Sequence, residues 1–80
     1  MKTVNIYYFA VLRECAGKSH ETRQTAARTF LDLYEEIRTL YRFPLEATRV
    51  RVALGDSYGE MDQEIVDGAE VTFIPPVAGG

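Results

Sequence analysis

The chain has 80 residues, 46% of them hydrophobic, which is enough for one small domain with a compact core and too much for a disordered chain. A net charge of −3 argues against general binding to nucleic acid or to an anionic membrane, and a single cysteine excludes an internal disulfide framework. No apolar run approaches membrane-spanning length, and residues 1–3 lead into an alternating strand rather than a signal peptide, so we expect a cytoplasmic protein.

The first predicted element is a strand. Residues 4–9 are rich in β-branched and aromatic side chains. Strand alternation places Val4, Ile6 and Tyr8 on one face, which we expect to be the core face, and turns Phe9 outward.

A helical turn and an edge strand follow. Residues 10–16 favour a short helical turn, which Gly17 closes. Residues 19–25 are polar and suit an exposed edge strand, where the charges of Glu21 and Arg23 discourage pairing with other chains.

From Thr29 onward the apolar residues follow the period of an α-helix. Thr29 and Asp32 resemble a capping box at its start, and Pro44 forbids its continuation. The apolar stripe consists of Phe30, Leu33, Tyr34, Ile37, Leu40 and Tyr41.

The second half of the chain predicts two more strands, at residues 50–54 and 71–74, with a turn at 55–57. Asp67 and Gly68 are the strongest hairpin-type turn signal, just before the last strand. We therefore predict an α+β domain in which one main amphipathic helix packs on one face of a mixed sheet. The order of elements resembles the β-grasp, or ubiquitin-like, fold, in which the first and last strands lie side by side at the centre.

No stand-alone active site is visible in the sequence. His20 lies in the polar edge strand and is interpreted as a solvated imidazole, and Cys15 as a small, partly buried apolar filler. An acidic stretch lacks the ligand spacing of an EF-hand loop, so we predict no metal site and no bound cofactor. That stretch consists of Asp56, Glu60, Asp62, Glu64 and Asp67.

The C-terminal residues suggest a different kind of function. Pro75 and Pro76 stiffen the exit from the last strand, and the chain then ends in Gly79 and Gly80, whose lack of side chains lets a backbone thread a narrow channel. We predict a β-grasp domain over residues 1–76 and a flexible C-terminal tail over residues 77–80 that presents its carboxylate to another protein.

The sequence also resembles a known family. Residues 67–71 and 73–80, with the two prolines before Val-Ala-Gly-Gly, are similar to the C-terminus of the molybdopterin synthase small subunit. Residues 8–17, in which an aromatic-Ala pair leads to Leu-Arg-Glu and a glycine, resemble the first strand and turn of that subunit. The small subunit is the sulfur carrier of molybdenum cofactor synthesis.

The resemblance implies a chemical role for the C-terminus. An E1-like adenylyltransferase would use ATP to adenylylate Gly80, and a sulfur donor system would convert the acyl-adenylate to a thiocarboxylate. Val77, Ala78 and Gly79 would enter the active site of the large, catalytic subunit, where two sulfur transfers convert cyclic pyranopterin monophosphate to molybdopterin. The assembly implied is a heterotetramer, and the catalytic side chains would belong to the large subunit.

Strand parity independently predicts a surface for the partner. Phe9 and Ile74 face outward on strands that we expect to be adjacent, and together with Tyr58 they form an apolar patch beside the exit. Pro75 and Pro76 complete the predicted partner-binding residues.

Three other functions remain open at this point. The chain could carry sulfur for thiamin, cysteine or tRNA thiolation, it could be a protein modifier joined to lysines through Gly80, or it could be a β-grasp interaction module with an inert tail.

Overall fold

The computed structural model describes residues 1–76, and the predicted tail, residues 77–80, lies outside the described residues. Within the described residues, no helix has the length and apolar composition needed to cross a membrane. The elements in chain order are β1 (Lys2–Tyr8), α1 (Ala10–Ala16), β2 (His20–Thr25), α2 (Phe30–Tyr41), a 3₁₀ helix (Ala47–Arg49), β3 (Arg51–Leu54), β4 (Ser57–Gly59) and β5 (Glu70–Ile74).

The five strands form one mixed sheet in the order β2-β1-β5-β3-β4. The central strand β5 is parallel to β1 and antiparallel to β3, while β1 with β2 and β3 with β4 form antiparallel pairs. The predicted α+β class is confirmed, and so is the β-grasp arrangement with the first and last strands adjacent at the centre.

Helix α2 covers one face of this sheet. The predicted capping box is present, since the Asp32 N–H donates to Thr29 Oγ1 over 3.2 Å and the Asp32 carboxylate accepts from the Thr29 N–H. The helix and the sheet bury a single core, whose largest buried members are Tyr8, Tyr34, Phe30, Phe73, Ile6, Leu12, Leu33 and Ile37.

The prediction that Leu40 belongs to the core stripe is wrong, because 54% of the residue is exposed. The chain leaves the helix at Arg42, which has a left-handed φ of 59°. The N–H of Phe43 then bonds back to the carbonyl of Arg38 over 3.1 Å. Phe43 is buried and packs edge-on against Tyr8, so the segment after the helix contributes a residue to the core.

The charges of β2 lie on the covered face of the sheet, and their predicted role in discouraging pairing at the edge stays a prediction. β2 is an edge strand, but Glu21 and Arg23 are half-buried on the face covered by α2. Glu21 accepts hydrogen bonds from the hydroxyl groups of Tyr8 and Tyr41. Arg23 Nε lies 2.8 Å from a carboxylate oxygen of Glu36 on the helix. These charges join the edge strand to the helix.

The turn at Asp67 and Gly68 forms, but the strand after it does not belong to a β-hairpin with the segment before it. β5 instead pairs with β1 and β3. Gly68 has a φ of 87°, and its N–H donates to the Thr3 carbonyl over 2.7 Å, while the Thr3 N–H donates to Asp67 Oδ1 over 2.7 Å. The turn thus attaches the chain to the start of β1, next to the parallel pairing of β1 with β5.

Candidate functional site

The chain leaves the sheet at the end of its central strand. Ile74 is the last residue of β5 and is paired with Arg51 of β3, while β1 ends on the other side. Pro75 is half-buried and Pro76 is exposed. Since proline has no backbone N–H, neither residue can donate to the ladder. The exit is therefore placed between the end of β1 and the start of β3.

Ile74 and Tyr58, two of the predicted partner-binding residues, line one shallow cavity of about 230 Å³. Tyr58 is 70% exposed, and the guanidinium of Arg51 lies 5.7 Å from the centroid of its ring, a cation–π distance. The exit is thus bordered by a surface on which Ile74 and Tyr58 lie close to Arg51. The remaining lining residues are Ala53, Gly55, Asp56 and Ser57.

Phe9 lies on the other side of the exit and is 51% exposed, in agreement with its predicted outward direction. It is the N-cap of α1 rather than a strand residue, and it does not line the cavity of Tyr58, because β5 and β3 lie between β1 and β4. Ala10 follows with a φ of 51°, a left-handed conformation that costs an L-residue on the order of 1 kcal/mol. This residue turns the chain from β1 into α1 directly after Phe9.

A hydrogen-bonded cluster supports the end of β1 from the helix side. The hydroxyl groups of Tyr8 and Tyr41 donate to one oxygen of Glu21, and Lys18 Nζ lies 3.8 Å from the other. Burial and the bond to Glu21 raise the pKa of Tyr8. Burial also disfavours ionisation of Glu21, but the two hydrogen bonds and the charges of Lys18 and Arg23 outweigh it and lower the pKa of this carboxyl group. The cluster holds the strand end in place.

A second polar cluster lies on the outer face of the sheet and was not predicted. The Tyr7 hydroxyl donates to Glu70 over 2.9 Å, and Asn5 Nδ2 donates to the other oxygen of Glu70 over 2.8 Å. Thr22 Oγ1 donates to Asn5 Oδ1, and His20 stacks on Tyr7 with 4.7 Å between centroids. The bond to Glu70 raises the pKa of Tyr7. Strand alternation in the sequence is enough to place Asn5 and Tyr7 on the outer face. It does not identify Glu70 as their partner, because that contact depends on the register of β1 against β5.

Both side chains considered for catalysis are on the surface. His20 is exposed, as predicted. Cys15 is exposed as well, so its interpretation as a partly buried filler is wrong; Leu12 is the buried residue of α1. Among residues 1–76, no group of three or more His, Cys, Asp or Glu side chains is arranged to hold a metal ion. The residues from Val77 to Gly80 lie outside the described part of the chain, and their role stays a prediction.

The sequence profile of the ThiS family matches residues 6–80, from the first strand through the terminal glycine. The chain belongs to the ThiS family. It is therefore a ubiquitin-like sulfur carrier in the broad sense of this family. A comparison with curated proteins gave no significant match.

Solved structures agree with the family assignment over nearly the whole chain. A Pyrococcus furiosus protein, provisionally assigned as molybdopterin converting factor subunit 1, has 30% identity and a TM-score of 0.78, covering 96% of this chain and 100% of that one. Small archaeal modifier protein 1 from Methanosarcina acetivorans has 18% identity and a TM-score of 0.78, covering 100% and 98%. A chain in the complex of molybdopterin-converting factor subunits 1 and 2 from Helicobacter pylori 26695 has 18% identity and a TM-score of 0.65, covering 98% and 99%. The last two show a common fold alone.

Proposed function

We propose that this chain is the sulfur-carrying small subunit of a molybdopterin synthase. The observation that carries the proposal is the ThiS-family match, which runs through the terminal Gly80. Among sulfur-carrier pathways, the molybdopterin pathway is supported by the 30% identity to the Pyrococcus furiosus protein over its whole length. The two prolines before the last four residues, which resemble the ending of this subunit, add to that support.

The chemistry is placed at the C-terminal carboxylate. A carboxylate is a poor electrophile at neutral pH, so an E1-like adenylyltransferase joins Gly80 to AMP from ATP, with release of pyrophosphate. Hydrosulfide supplied by a donor system then attacks the acyl carbon and displaces AMP, which leaves a thiocarboxylate. Two such carriers supply the two sulfur atoms of the molybdopterin dithiolene, starting from cyclic pyranopterin monophosphate. The chain is a non-catalytic, sulfur-donating subunit, and the large subunit provides the catalytic side chains.

The described residues have a positioning role in this proposal. Phe9, Tyr58 and Ile74 contact the large subunit, and Pro75 and Pro76 direct the chain into it. The exposure of Phe9 and Tyr58 on either side of the exit supports this arrangement. Apolar anchors of this kind carry most of the affinity of an interface. Val77, Ala78 and Gly79 then span the distance to the reacting atoms, and the working assembly is a cytoplasmic heterotetramer.

A reconstituted reaction tests the proposal. The thiocarboxylated chain is mixed with the large subunit and cyclic pyranopterin monophosphate, and molybdopterin is measured. We expect product from the full chain and none from a chain that lacks Gly79 and Gly80. Both chains should melt at the same temperature, because the deleted residues have no side chains to bury. Product formation by the truncated chain would rule out the carrier mechanism.

The same materials separate the alternatives. If the thiocarboxylated chain gives no molybdopterin but supplies sulfur to a thiamin, cysteine or tRNA-thiolation acceptor, the pathway assignment falls and the sulfur-carrier role stands. Adducts joined by an isopeptide bond from Gly80 to lysines in a cell lysate would instead support a protein modifier.

A further inference from the structure

Two arginines lie near Pro75, where the chain leaves the sheet. Arg51 is paired with Ile74 at the end of β5, is exposed, and lies over the ring of Tyr58. Arg49 is exposed at the end of the 3₁₀ helix, two residues earlier. Arg49 precedes β3 and Arg51 begins it, so both arginines lie at the end of the sheet where the chain leaves at Pro75.

Neither arginine has an acidic partner within the described part of the chain. No carboxylate of residues 1–76 lies within 4.0 Å of the nitrogens of Arg49 or Arg51, whereas Lys18, Arg23 and Arg38 each have one. Glu60 lines the same cavity as Arg51 without forming an ion pair with it, and Glu46 contacts Arg49 through its backbone carbonyl. Three other exposed arginines, Arg13, Arg28 and Arg42, also lack a carboxylate within this distance among residues 1–76. What distinguishes Arg51 is its pairing with Ile74 on the strand that leads into the exit.

Three carboxylates lie at the other end of the sheet. Glu70 begins β5, and the turn after β3 lies beside it, because Leu54 is paired with Val71. Lys2 and Arg28 are cations of this end, where Lys2 begins β1 and the carbonyl of Arg28 accepts from the Ile65 N–H. The carboxylates here are those of Glu64, Asp67 and Glu70. The chain is negatively charged overall, yet its exit is bordered by arginines that form no ion pair among residues 1–76.

We propose that Arg49 and Arg51 receive carboxylates from the partner that accepts the exit of the chain, so that the partner presents an apolar patch bordered by aspartate or glutamate. The inference rests on the proposed function, because the partner is taken to be the large subunit of the synthase. Opposite charges at the rim of an interface raise the association rate and orient the encounter. The contact of Arg51 with Tyr58 restrains its side chain before binding and lowers the ordering cost.

Binding measurements with the large subunit test this inference. The wild-type chain is compared with the Arg49→Gln/Arg51→Gln double variant, which removes the charge, and the Arg49→Lys/Arg51→Lys double variant, which keeps it. Arg28→Gln is the matched control, since Arg28 is exposed and without an ion pair within the described residues but lies at the end of the sheet away from the exit. Dissociation constants and association rates are measured at about 50 and about 300 mM NaCl, which screen charges to different distances. Thermal melts verify that every variant folds.

We expect the glutamine double variant to bind about tenfold more weakly than wild type at low salt, mainly through slower association, and to approach wild type at high salt. The lysine double variant and Arg28→Gln should keep the wild-type salt dependence. If wild type binds and the glutamine double variant shows the same affinity and salt dependence, this inference is wrong and the proposed function stands. If wild type does not bind the large subunit at either salt concentration, the proposed function fails and the inference fails with it.

Discussion

Replacing Phe9 by lysine should separate folding from partner binding. Phe9 is 51% exposed, so folding buries only about half of a side chain whose complete burial contributes roughly 1.5–3 kcal/mol. The stem of lysine can cover part of the same surface while its ammonium group stays in water. We therefore expect a loss of at most about 1 kcal/mol in the free energy of unfolding, or a decrease of about 4–8 °C in melting temperature for a domain of this size.

The effect on binding should be larger. An apolar anchor at an interface typically contributes about 2 kcal/mol or more, which corresponds to an increase of roughly 30-fold in the dissociation constant for the large subunit. Thermal melts and calorimetric titrations of the same preparation give both quantities. Val66→Lys is the control, because Val66 is 71% exposed and precedes the turn at the opposite end of β1. Unfolding of Phe9→Lys, or equal losses of affinity in both variants, would refute the proposed docking role of Phe9.

Three further variants test the local geometry. Cys15→Ser should keep its stability and its sulfur transfer, because the thiol is exposed and the sulfur is proposed to travel on the C-terminal carboxylate; loss of transfer in the folded variant, measured by molybdopterin formation, would indicate a thiol mechanism. Arg42→Gly should raise the unfolding free energy in urea by about 0.5–1 kcal/mol, since glycine adopts the left-handed φ of 59° without strain, and a decrease would contradict this. Glu21→Gln should lower stability by about 1 kcal/mol at neutral pH. Folding lowers the pKa of Glu21, so the ionised carboxylate stabilises the fold above the ordinary pKa of 4.5, and this stabilisation is lost as the pH falls through the folded pKa. The difference in unfolding free energy between Glu21→Gln and wild type should therefore shrink on acidification. A difference that stays constant would refute the assignment.

Local sequence rules predicted the elements whose signals are short in range. The capping box of α2, the left-handed Gly17 after α1 and the inward direction of Val4, Ile6 and Tyr8 all follow from neighbouring residues. The failure at Leu40 has a geometric cause: at 100° per residue it lies roughly 70° from the centre of the apolar stripe, at its margin. Phe43, which follows the helix, is buried instead.

Other features depend on register and could not be read from the sequence. The two-residue period puts Glu21 and Arg23 on one face, but the position of α2 decides that this face is the covered one. The signal at Asp67 correctly predicts a turn and does not say which strands it joins. In the candidate site, parity predicted the outward direction of Phe9, whereas the placement of Arg51 beside Ile74 required the pairing of β3 with β5.

The central position of β5 explains how such a small domain can fix the point at which the chain leaves the sheet at Pro75. β5 is held by two ladders, since Phe73 is paired with Tyr8 of β1 and with Val52 of β3, and all three side chains are buried. An edge strand would be held by one ladder, and its end could fray more readily. With the direction of the exit fixed before binding, the partner does not have to order the last strand, and more of the contact energy is available for affinity. Strand parity thus places the core on the helix side of the sheet and Arg51, Tyr58 and Ile74, which are proposed for docking, on the outer side.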